Sequence, residues 1–132
     1  MSAEETARAF VDVALAGDVV RAAELSTPDA QWTTPKGSVY DLLDVVGEVA
    51  PPEDYEHLSV DRESHRYEAV GPARVLVVYD TVYRWKDDEE LSNRVPSGYV
   101  VDVRDGRVSR VRAFLDAEKA RAAAGEAEAA AA

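Results

Sequence analysis

From about His57 to Asp116 the chain reads at period two, and nothing else in it constrains the fold as much. Four segments, at about 57–70, 73–86, 91–103 and 107–116, alternate apolar and polar side chains as strands with two unlike faces do. Gly71-Pro72, the acidic stretch Lys86 to Glu90 and Asp105-Gly106 separate them, so consecutive strands are expected to pair as antiparallel hairpins. The last segment breaks its own rhythm. Val108 and Val111 stand three apart, whereas Val111, Ala113 and Leu115 stand two apart. A β-bulge near Ser109-Arg110 reconciles them.

A sheet with one apolar face needs a cover, and the sequence supplies it upstream. Ser2 and Glu5 form an S-x-x-E box, after which Ala3, Ala7, Phe10, Val11 and Ala14 share one helical face. Gly17 ends that helix, and Asp18 can cap a second one, "VVRAAEL", which must stop before Pro28. "AQWTTPKGSVY" leans towards strand but is broken by Pro35 and Gly37, and "DLLDVVGEVA" reads as a short helix closed by Pro51-Pro52. The fold class is therefore α+β, helices first and then a curved antiparallel sheet. One domain over residues 1–118 is expected, followed by an Ala/Glu-rich tail, 119–132, read as a frayed helix or disorder with no function of its own.

Composition narrows the partners. Fifteen Lys and Arg against 26 Asp and Glu give a net charge of −11, which repels nucleic-acid phosphates and anionic membrane surfaces, so neither is an expected partner. Without cysteine there is no thiol nucleophile, and two histidines leave little for a nitrogen-ligated metal; no metal and no cofactor is expected. The amino terminus has acids where a signal peptide carries basic residues, and the longest aliphatic run is "VLVV" at 75–78. A cytoplasmic location is the expectation.

Two stretches carry a family resemblance. "RAFVDVALAGDVVRAAELSTPDAQWTTPKG" resembles the opening of nuclear transport factor 2-like proteins, and "VVDVRDGRVSRVRAFLD" is similar to their closing hairpin. The likeness spans roughly residues 3–118 and takes in SnoaL-like cyclases, ketosteroid isomerases and limonene epoxide hydrolases. It implies a cone-shaped fold, a bent sheet wrapped around the N-terminal helices and enclosing a cavity, often in a homodimer. It does not transfer a mechanism. Phe10 stands where ketosteroid isomerases have a tyrosine, and Thr34 where they have the base. "RAFLD" places Ala113 where the epoxide hydrolases have an acid, and "YDTVY" lacks their Arg-x-Asp pair.

Function must then come from individual residues. On "RVLVVYDTVYRW" one face holds Tyr79, Thr81 and Tyr83, and with Trp32, Thr34, Ser97 and Tyr99 from other strands these are the expected lining of a largely apolar pocket. Catalytic candidates are Tyr83, as a donor to a developing oxyanion, and Asp80 or His65, as the group that moves a proton. Each has a structural alternative: the tyrosines pack a solid core, Asp80 pairs with Arg84 or another strand's arginine outside, and His65 is exposed or ion-paired. Arg110 and Arg112 read as solvent-facing strand residues, and Asp116 as the cap of whatever helix begins in the tail. Two functions remain open. One is a small-molecule protein, with cofactor-independent isomerisation, cyclisation or dehydration as its chemistry if it is an enzyme. The other is a non-catalytic dimeric binding or interaction module.

Overall fold

A computed structural model of the chain describes residues 2–48, 53–54, 57–88 and 92–126. The Ser2 side chain accepts from the Glu5 amide at 3.1 Å and starts α1 (Ala3–Leu15), which turns Phe10 and Val11 into the core. Gly17, at φ 71°, provides the left-handed residue that lets Asp18 cap α2 (Val19–Glu24) at once. β1 (Ser26–Thr33) follows directly, so the strand begins earlier than the proline suggests and includes Pro28. A turn through Thr34 and Gly37 leads to β2 (Val39–Asp41) and α3 (Leu42–Glu48). Pro51-Pro52, expected to close α3, lie outside the described residues.

The long strands fall close to where the alternation places them. After the two-residue β3 (Glu53–Asp54) come β4 (Leu58–Ala69), β5 (Arg74–Trp85), β6 (Asn93–Arg104) and β7 (Arg107–Phe114). Asp105 and Gly106 both take positive φ, 54° and 77°, the geometry of a tight two-residue hairpin turn. Among the described residues the strands form one seven-stranded open sheet in the order β2-β1-β7-β6-β5-β4-β3. Its curvature and helical cover make it the α+β cone. One pairing departs from the antiparallel expectation: β1 runs parallel to β7, with Trp32 beside Val111. That places Trp32 one strand away from β6. The expected bulge is present, since Asp102 pairs with Arg110 and Val103 with Val108, leaving Ser109 unpaired and both valines inside.

The inner face packs Val75, Val77, Val101, Val108 and Val111 against Phe10, Val11, Leu42 and Val46. The outer face is also covered. Residues 117–124 form α4 (Ala117–Ala124), capped by Asp116, whose carboxylate accepts from the Glu118 amide at 2.8 Å. Ala120, Ala123 and Ala124 are buried against Leu76 and Val100. Of the two readings of the tail, frayed helix or disorder, residues 119–124 take the helical one and are packed, and residues 127–132 lie outside the described set. Alanine suffices because the sheet beneath it is notched. A Cβ on Gly98 would stand 2.7 Å from the Ala120 Cβ.

Arg74, only 2% exposed, anchors the far end of this helix. Its Nε donates to Asp102 Oδ1 at 2.6 Å and its Nη1 points at the carbonyls of Ala123, Ala124 and Glu126, where a helix C-terminus favours a cation. Arg110 donates to the other Asp102 oxygen at 2.8 Å. Arg112 keeps 15% of its side chain exposed, and burial followed by the nearby Arg110 and Arg74 lowers its pKa. Arg110 keeps 37% of its side chain exposed, so the solvent-facing reading holds for it and is corrected for Arg112 alone. No helix among the described residues is long and apolar enough to cross a membrane.

Gly98→Ala should cost about 1–3 kcal/mol of unfolding free energy, the usual range for overpacking. Combining it with Ala120→Gly should restore part of that loss. Urea denaturation of the single and double variants checks both.

Candidate functional site

Between the inner sheet face and α3 lies an open cavity of about 540 Å³, a size that accepts a drug-like molecule. Trp32, Tyr79 and Tyr99 supply its aromatic wall, Arg62 its half-buried cation, and Thr34, Tyr40 and Asp44 its polar mouth. The aromatic rings are locked together. Trp32 meets Tyr99 edge-on at 5.3 Å between centroids, and Tyr99 lies 4.5 Å from Tyr79. A second, deeper chamber of about 50 Å³ adjoins it, walled by Phe10, Val11, Ala14, Val46, Val101 and Val111 among others. Trp32, Val45, Arg62 and Tyr99 wall both spaces.

Arg62 was not foreseen, and the reason is a phase break in β4. Arg62 pairs with Thr81 and Tyr67 with Val77, while Glu63 pairs with Asp80 and Arg66 with Val78, so Ser64 and His65 together oppose Tyr79 alone. Ser64 takes φ 60° to make this bulge. Both Arg62 and His65, three apart, consequently face inward. The segment "VDRESHRY" carries the same three-residue step as Val108 and Val111, but polar residues on both sides of the break conceal it.

Electrostatics around Tyr79 favour a held proton. Burial, then the nearby Tyr99 and its hydrogen bond, push the Tyr79 phenol far above its ordinary range, and a hydrogen bond from Arg62 opposes them only in part. His65 stacks on Tyr79, centroids 5.2 Å apart at 18°. Its Nε2 is buried with no hydrogen-bond partner, and burial lowers its pKa, against a smaller opposing pull from Asp12. The ring is therefore neutral at physiological pH. Tyr67, with the Arg8 guanidinium 4.3 Å from its ring centroid, is pushed up to about 12, chiefly by burial.

The residues picked from the sequence divide into two groups. Trp32, Thr34, Tyr79 and Tyr99 line the cavity. Thr81 and Ser97 face inward but are spent on each other at 2.8 Å, and neither is among the cavity walls. Tyr83 shares their face yet sits four residues along the strand from Tyr79, about 13 Å, and walls neither space. His65 backs Tyr79 without lining the cavity. Asp80 is on the opposite face, where its Oδ2 accepts from Arg94 at 2.9 Å in a surface lattice with Glu63 and Arg84. Tyr83 and Asp80 are thus corrected as site residues. Tyr40, Asp44 and Arg62 replace them at the cavity. Among the described residues no cluster of three or more His, Asp or Glu could hold a metal.

Comparison with solved structures places this geometry in a known fold. An NTF2-like protein from Burkholderia xenovorans superposes with TM-score 0.65 at 20% identity, covering 96% of this chain and 98% of that one. A candidate polyketide cyclase from Xanthomonas campestris gives 0.64 at 16% identity over 94% and 96% of the two chains. An LEH-like epoxide hydrolase of M. tuberculosis gives 0.60 at 16% identity over 92% and 90%. The chain has the NTF2-like fold. No family model and no curated protein sequence matches it.

The His65 pKa has a consequence for stability. Because folding depresses it below 6.5, the unfolded chain binds the extra proton first, and the stability contributed by the neutral ring is complete above that pH and declines below it. Between about pH 7.5 and about pH 5.5 the wild-type urea midpoint should fall. It should fall less in His65→Phe, which keeps the stack on Tyr79 but cannot take a proton.

Proposed function

We propose that the chain binds a small, largely apolar molecule bearing a carbonyl or anionic oxygen, and that Arg62 and Tyr79 hold that oxygen. The observation that carries this reading is the guanidinium set among Trp32, Tyr79 and Tyr99, in a cavity otherwise walled mostly by apolar groups. A half-buried cation and a phenol that keeps its proton are both donors, and a charged donor recognises an oxygen strongly. The aromatic rings offer stacking surface for the apolar body. Solved structures of this fold described as a candidate polyketide cyclase and an LEH-like epoxide hydrolase support a small-molecule role for the cavity.

A catalytic extension rests on one further residue. Asp44, at the cavity mouth, supplies a carboxylate on the same lining as Arg62 and Tyr79. A carboxylate that takes a proton next to a carbonyl, while donors hold the oxygen that becomes negative, performs enolisation without a cofactor. Isomerisation, cyclisation and dehydration all proceed through that step. In this reading Asp44 is the proton carrier and Arg62 with Tyr79 the oxyanion donors.

Calorimetric titration with 2-naphthoate tests the binding claim. Wild type should bind it, and Arg62→Met should weaken binding on the order of tenfold to a hundredfold, the loss expected for a charged hydrogen bond. Asp80→Asn, on the outer face, should leave the affinity unchanged. Equal binding by wild type and Arg62→Met would remove the guanidinium from recognition.

A further inference from the structure

The position of Arg62 says more about the ligand than that it carries an oxygen. Arg62 walls the large cavity and also the small inner chamber, as do Trp32, Val45 and Tyr99. These four residues form a neck. On one side is about 540 Å³ with a polar mouth; on the other is about 50 Å³ walled by nearly fully buried Phe10, Val46, Val101 and Val111. An oxygen held by Arg62 is held at the neck, so the carbon that carries it has one substituent directed to each side.

Resting on the binding reading above, we propose that the preferred ligand is an unsymmetrical ketone, or its enolate: a bulky, flat apolar group in the outer cavity, the oxygen at Arg62, and a short alkyl group in the inner chamber. A carboxylic acid satisfies the neck but leaves the chamber empty. A ketone fills both sides. The chamber holds roughly three or four waters by volume, which corresponds to an alkyl chain of about three carbons. Its walls carry no polar side chain besides those of the neck, so the inner substituent is apolar. Ala14 on α1 and Val46 on α3 set its depth, one by being small and the other by its bulk.

A series of 2-naphthyl alkyl ketones, methyl through pentyl, titrated against the whole chain tests this directly. Affinity should rise about fourfold for each added methylene as far as propyl, the gain for burying one such group, and should drop at pentyl. Ala14→Leu should abolish the advantage of propyl over methyl. Val46→Ala should move the optimum to a longer chain, a readout that stands if Ala14→Leu fails to fold. Affinities that stay flat, or rise evenly through pentyl, while 2-naphthoate still binds in an Arg62-dependent way would overturn the chamber assignment and leave the binding reading intact. Failure of 2-naphthoate to bind at all would overturn both.

Discussion

A β-strand gives only every second side chain to one face, and the cavity depends on β4 breaking that rule once. The bulge at Ser64 turns two polar side chains, Arg62 and His65, towards a face that is otherwise aliphatic and aromatic. Without it the strand would put either Arg62 or the His65-Tyr67 pair inside, and never both. The cost is an unpaired stretch of ladder and a residue in left-handed geometry. In return, one strand supplies both the guanidinium that meets the Tyr79 hydroxyl and the ring that backs the same tyrosine.

The two faces of the sheet treat charge differently. Outside, Glu63 and Asp80 stand opposite one another on neighbouring strands and are neutralised by Arg84 and Arg94, and such exposed pairs each contribute little. Inside, the half-buried Arg62 is set against tyrosines in a largely apolar wall. Partial burial strengthens the hydrogen bond that Arg62 makes to Tyr79. The same physics appears beneath α4, where Arg74 and Arg110 share one Asp102 carboxylate. There the pairing serves as a fastening, and none of the three residues walls the cavity.

Most of the architecture was legible in the letters. Period two located four strands to within a residue or two, the Val108–Val111 step located a bulge, and Asp116 was recognisable as a cap. What escaped was information that does not reside in a short window. The parallel contact of β1 with β7 joins segments some eighty residues apart and is settled only by packing. The phase of β4 could not be read because arginine, glutamate, serine and histidine give no apolar rhythm to follow. Tyrosines were easier to place on a face than along it, so Tyr83 was credited with a position that belongs to Tyr79. The alanine-rich tail carried no face larger than a methyl, and its packing became intelligible only beside the bare backbone of Gly98.

That last pairing has a bearing on how copies of the chain could meet. With methyl groups lying on Leu76 and Val100, part of the outer side is already occupied by the chain's own α4. Two molecules that approached back to back would encounter a helix rather than a bare lattice of strands. They would have either to include it in their contact or to lift it away, and lifting it exposes Leu76 and Val100 and unfastens Arg74 from the carbonyls it faces. α4 thereby governs which surfaces are left for company.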